Sequence, residues 1–264
     1  MKGPRSRSGW SAALSGVGLA EAEPGPREHG DAGVGRVGPE REVMVPVDDA
    51  TVLRGRLAIP PSAVGMVVMA RGSDSSRGSL RLAQTAGLLR QAGLGTLLLD
   101  LLTHVEEEER RTRQLRFNIG LLGLRMAGAA RWLQRGATTA RLRVGYFGSH
   151  TGAGAALCAA ALRPDCVHAV VSRGGRPDLA GSALTRVRAP TLLLVGGADA
   201  LGLEVNDRAC ATLRADKHVE VIPGATHHFH GPGELARVAE LACQWFLHHL
   251  AETPASAWEE APPP

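Results

Sequence analysis

From Val43 onward, short β-rich runs alternate with segments whose apolar residues recur every three or four positions. Val43–Val47 and Val52–Ile59 predict an antiparallel hairpin. Six further runs follow: Val64–Ala70, Gly95–Asp100, Arg143–Phe147, Val167–Ser172, Thr191–Val195 and His218–Ile222. The later ones are nearly continuous in Val, Leu and Ile, as strands buried on both faces must be. Between the strands, Leu115, Ile119, Leu122, Met126, Ala129 and Leu133 alternate spacings of four and three, which is one apolar helix face. A last helix carries Leu235, Val238, Ala242 and Trp245 on one face and ends near Leu250. Alternation of this kind predicts an α/β fold: a mostly parallel eight-stranded sheet with an N-terminal antiparallel hairpin and helices on both faces.

The ends read differently. Residues 1–40 are rich in Gly, Pro, Arg and Glu and are expected to form a disordered arm, with the folded domain over 41–252 and a loose tail over 253–264. A secretory signal is the competing reading of the arm. Lys2, Arg5 and Arg7 precede the weakly apolar Trp10–Ala20, and Ala20-Glu21-Ala22 has small-x-small form. Ser and Gly interrupt that stretch, so it is a poor membrane-inserting core. No run reaches transmembrane length, and no membrane association is expected.

Composition narrows the classes. A chain of 264 residues with 44% hydrophobic content can bury a sizeable core, but at 3% aromatics that core must be built from Leu, Val and Ala. The net charge of +4 comes mostly from scattered Arg, with no basic stripe interleaved by aromatics, so nucleic acid is not an expected partner. Cys158, Cys166, Cys210 and Cys243 show no Cys-x-x-Cys spacing; they read as small buried hydrophobes in a reducing, cytoplasmic setting. Glu106, Glu107 and Glu109 precede Arg110, Arg111 and Arg113 by four residues, a charge run expected on a solvated helix face.

Candidate chemistry gathers where strands end, the edge at which α/β sheets place reactive groups. Gly148-Ser149-His150-Thr151-Gly152 lies between a strand and a small-residue helix, in the Gly-x-nucleophile-x-Gly layout of a strained elbow. The apex is His150, not a hydroxyl or thiol. Asp199 follows one strand in Gly196-Gly197-Ala198-Asp199, and His227 follows the last in Pro223-Gly224-Ala225-Thr226-His227. Elbow, acid, then His is the chain order of α/β-hydrolases. Arg71-Gly72-Ser73-Asp74 occupies the place of an oxyanion loop, with the backbone N–H groups of Ser73 and Thr151 as the two donors.

From Val43 to Leu250 the chain resembles the dienelactone hydrolase-like branch of the α/β-hydrolase superfamily. The matching pieces are Gly72-Ser73, Leu99-Asp100-Leu101-Leu102-Thr103 with its acidic run, the elbow, Ser172-Arg173-Gly174-Gly175-Arg176-Pro177-Asp178-Leu179, and Gly224-Ala225-Thr226-His227. The resemblance implies acid and base roles for Asp199 and His227. It departs at two positions. Arg71 stands where the family usually has His, and His150 where it usually has Ser or Cys.

Three readings of function follow. In the first, an enzyme without a Ser nucleophile uses His150 and His227, backed by Asp199, for acid–base work on a small ester, lactone or carbonyl substrate. Hydrolysis, elimination and cyclisation all fit. Two imidazoles in close approach resist double protonation, so one serves as acid and the other as base. In the second, the fold is retained as a catalytically silent ligand-binding protein. Ser149, one residue before the apex, should point away from His227 and is not a substitute nucleophile. No cofactor is expected. A metal held by His150 and His227 with His228 or His230 is the third alternative, set against reading His228 and His230 as rim residues. Arg173, Arg176 and Arg71 follow strands and suit an anionic small-molecule substrate, although Arg176 equally suits pairing with Asp178. Asp100 reads as a loop anchor, and His248 and His249 suit a helix C-terminus.

Overall fold

The hairpin comes first: β1 (Arg41–Pro46) pairs antiparallel with β2 (Val52–Ala58), bringing Val45 opposite Leu53. β2 in turn lies antiparallel to β4 (Leu94–Leu99). Every later pairing is parallel, through β3 (Gly65–Ala70), β5 (Val144–His150), β6 (Ala169–Gly175), β7 (Thr191–Gly196) and β8 (Lys217–Ile222). The sheet has eight strands in the order β1-β2-β4-β3-β5-β6-β7-β8. The computed structural model describes residues 39–70, 76–108 and 113–251, all within the larger of the chain's two units, Gly35–Pro264.

Alternation along the strands sorts side chains between two layers. Val68, Tyr146, Val170 and Leu193 join one cluster with residues of α3 (Ile119–Arg135) and α4 (Thr151–Leu162). On the opposite face α1 (Ser76–Gln91) and α6 (Glu234–Leu250) pack together, and Phe246 and Leu250 of α6 fill the space left by Gly145. Burying one such Phe contributes roughly 2 kcal/mol. α4 has almost no polar face, since nearly all of Thr151–Ala160 is buried. A helix apolar all round belongs inside, and α4 is covered by α3 and the 3-10 segment Pro177–Arg186. α5 (Ala200–Thr212) lies beside that segment and against β7.

The eight expected strands are present with ends displaced by at most three residues. The largest displacements, three residues, are at the C-terminal ends of β5 and β6; β5 continues through Ser149 to His150, because the elbow stays in the ladder opposite β6, with a bulge between those two residues. Leu115 lies outside the helix its spacing suggested, in a 3-10 turn over Arg113–Phe117. Asn118 sets the boundary, its side chain accepting from the Leu121 N–H at 3.1 Å and capping α3. The charge run also differs from expectation. Glu106, in the short α2 (His104–Glu108), points to the buried Arg125 of α3 through two hydrogen bonds of 2.7 Å. Arg110 and Arg111 lie outside the described residues, as do the arm over 1–38 and the tail from 252.

Candidate active site

β5 passes into α4 with no intervening residue, so His150 ends the strand and caps the helix at φ 52° and ψ −123°. That conformation is rare for any residue with a Cβ and costs about 1–3 kcal/mol. Two contacts hold it. The His150 carbonyl accepts from the Arg176 N–H at 3.0 Å. Gly148 lets the chain fold back on itself, since a Cβ there would collide with the Gly152 carbonyl and with Ala153. Thr151, buried, opens α4, and its N–H belongs to the first helical turn, where intrahelical acceptors are lacking.

Asp199 caps α5, one carboxylate oxygen accepting from the Gly202 N–H at 2.9 Å. Its other oxygen lies 3.8 Å from His227 Nδ1, an electrostatic contact too long for a hydrogen bond. The two loops are tied by backbone: Gly197 N–H donates to the Ile222 carbonyl at 2.8 Å and Ala198 N–H to that of Ala225 at 2.9 Å. His227 and His228 are the central residues of a turn closed by Phe229 N–H donating to the Thr226 carbonyl at 3.1 Å. Phe229, fully buried at φ 53°, anchors the turn. Gly174, at φ 48°, leaves the room that the His227 carbonyl occupies, so the turn presses onto the end of β6.

Together these elements bring His150 and His227 to a ring-centroid separation of 5.6 Å, with planes at 82°. His228 joins them, 5.5 Å from the His150 ring and 3.9 Å from that of His227. One ring nitrogen of each lies within 4.8 Å of the others. His228 is therefore not a peripheral rim residue, as the linear pattern suggested; the turn geometry draws it inward. His230 is. Its exposed ring lies 2.6 Å from an Arg81 nitrogen.

The remaining candidates separate. Arg173 is fully buried on β6, so it does not line an open cleft. Arg176 forms a two-bond pair with Asp178 at 2.9 and 2.7 Å. Ser149 is buried beside Arg173 in the sheet register. Asp100 N–H donates to the Arg54 carbonyl, consistent with an anchoring position. Arg71 and Ser73 lie outside the described residues. Three of the cysteines are poor replacement nucleophiles: burial raises Cys158 and Cys210, and pushes the Cys243 thiol up to about 12.

A parallel sheet entered by a hairpin, an elbow with positive φ, and a carboxylate–imidazole pair on the following loops define an α/β-hydrolase. Comparison with known proteins places the chain more closely. It is 54% identical to a dienelactone hydrolase from Anabaena variabilis of known crystal structure, over 80% of this chain and 98% of that one, with a TM-score of 0.77. The chain belongs to the dienelactone hydrolase family. A dienelactone hydrolase-like promiscuous phosphotriesterase from metagenomic libraries, 18% identical over 80% of this chain and 98% of its own, shares the fold at a TM-score of 0.63. Mycobacterium tuberculosis proteins bearing the name "Putative phosphoribosyl transferase" are 51% identical over 211 residues, which is 80% of this chain and 47% of theirs. The chain thus spans about half the length of the curated relatives it matches. No family model matches.

Proposed function

We propose that this chain is an enzyme of hydrolase ancestry that works on a small ester, lactone or carbonyl compound by acid–base chemistry at His150 and His227, with Asp199 orienting the latter and no serine nucleophile. The observation that carries the reading is the convergence of two imidazoles from distant parts of the chain, 5.6 Å apart, at the strained elbow. One ring takes a proton from water or from the carbon beside a carbonyl, and the other returns a proton to the leaving or enolic oxygen. The N–H of Thr151, at the start of α4, and that of Ser73 are the donors assigned to the developing oxyanion.

The test is a panel of activated esters, small lactones and β-keto compounds offered to the purified chain. His150→Ala and His227→Ala should each lower kcat/KM on the substrate found by at least ~100-fold. Full activity in either variant rejects the paired-imidazole reading. His150→Ser separates the alternative, a silent binding protein. A gain of esterase activity supports intact machinery around the elbow, and an inert variant in an inert parent favours ligand binding alone.

A further inference from the structure

The geometry points to a divalent transition-metal site of the zinc class formed by His150, His227 and His228. Hydrolysis by the metal-bound hydroxide rests on the hydrolytic form of the function proposed above, whereas binding of the ion does not.

Three ring nitrogens, each from a different residue, lie within 4.8 Å of one another. Zinc–imidazole bonds of about 2.0–2.1 Å in a tetrahedron place ligand nitrogens roughly 3.3 Å apart. Ring rotations that move each nitrogen by about 1 Å close the difference. The supports favour those small movements over larger ones. His150 is set by the elbow backbone, and His227 and His228 share one turn anchored by the buried Phe229. Asp199, beside Nδ1 of His227, is in the position of the carboxylate that orients a ligating imidazole and leaves Nε2 for the metal. His230 is held by Arg81 on the outer side and is not part of the set. Three neutral nitrogen ligands suit zinc or cobalt in preference to magnesium or calcium, which require oxygen. Three protein ligands also leave a fourth position for water, the arrangement of catalytic zinc.

The chemistry then replaces what the elbow lacks. Bound water gives a proton to solvent, and the hydroxide oxygen forms a bond to the ester carbonyl carbon. The carbonyl π pair moves to oxygen. It returns as the carbon–oxygen bond to the alcohol breaks, and the departing alkoxide takes a proton from solvent. The sum is ester plus water to acid plus alcohol. With the ion seated, ring nitrogens of His150 and His227 are committed to it, so their acid–base pairing belongs to the metal-free protein and proton transfer in the loaded protein passes to the bound water.

The experiment uses the full chain without an affinity tag, stripped by chelator and then titrated with zinc(II) or cobalt(II). One ion per chain is expected, with the intense visible absorption of a tetrahedral cobalt centre. His228→Ala and His150→Ala should each weaken binding by about 100-fold or more, and Asp199→Asn by about 10–100-fold. His228→Gln, with circular dichroism of every variant, guards against simple misfolding. No stoichiometric binding at micromolar zinc, or unchanged binding in the folded His228 and His150 variants, overturns the site. Ester hydrolysis is then compared in stripped and loaded protein. Faster turnover on loading supports the hydroxide mechanism. Slower turnover on loading overturns it and leaves the paired imidazoles of the stripped protein as the catalyst, equal turnover overturns both mechanisms, and an inert protein that binds one ion rejects the hydrolytic reading while the ion site stands.

Discussion

Tyr146 lies on β5, four residues before the elbow apex, wholly buried with its hydroxyl making no hydrogen bond among the described residues. Burial pushes the phenol far above its ordinary range, so it stays neutral and acts as an aromatic filler between the sheet and the α3–α4 layer. An unsatisfied buried hydroxyl costs about 1–3 kcal/mol. Tyr146→Phe is therefore expected to raise the stability of the protein by about 1 kcal/mol, read from the midpoint of urea unfolding; an equal loss would show that the hydroxyl has a partner. His150 is the opposite case: a residue kept in a costly backbone conformation. The elbow was legible from its glycines alone, because Gly148 and Gly152 approach each other too closely for any side chain at position 148. What the one-dimensional pattern left open was whether His228 or His230 joins His150 and His227. His227 and His228 are adjacent in the chain, and only the turn that Phe229 anchors turns both rings toward the same place.

Elements are legible in the sequence where periodicity is strong and less so where a side chain redirects the backbone. The parallel strands stand out because both faces are buried, leaving runs of Val and Leu with little polar interruption. α3 starts later than its apolar spacing suggested because Asn118 offers a cap. Within the acidic stretch Glu107 is exposed as its i,i+4 spacing predicts, whereas Glu106 turns to a partner 19 residues away that no local spacing reveals. Thr103 and Glu106 form a reciprocal cap at the start of α2, with Thr103 N–H donating to the Glu106 carboxylate at 2.8 Å. The same carboxylate pairs with Arg125, whose Nη1 also donates to the Leu101 carbonyl at 2.8 Å. Removing the acid leaves a buried guanidinium without its counter-charge. Glu106→Ala should destabilise the protein by about 3 kcal/mol, measured by chemical unfolding, and far more than Glu107→Ala. Equal effects of the two would reduce Glu106 to a surface charge.

For the whole molecule, the titrating groups set a direction for stability against pH. Burial, then the neighbouring Arg143, lowers His168 below the ordinary imidazole range; burial, then His248, lowers His249 likewise. The unfolded chain binds these protons more readily than the folded one, so their contribution is complete above about pH 6.5 and falls away as pH drops through the folded values. Hydrogen bonds from Arg125 and Arg176 hold Glu106 and Asp178 below the usual carboxylate range. Their contribution is lost in turn at pH below about 4.5. Calorimetry should give a Tm that is level from pH 8 to 7, declines below 6.5 and declines more steeply below 4.5. A Tm constant from pH 7 to 5 would contradict the assignment of the two histidines. No helix among the described residues is long and apolar enough to cross a membrane. At this scale the primary structure was enough to establish the strand–helix alternation, the parallel sheet with its leading hairpin, and the elbow–acid–histidine order, since each depends on periodicity, glycine placement and chain order. Folding alone decided that Arg173 is interior, that Glu106 serves Arg125, and that a third imidazole joins the pair above the sheet. Those outcomes depend on distances between residues remote in the chain and on the aim of side chains from a short turn, and neither quantity leaves a periodic trace in the order of amino acids.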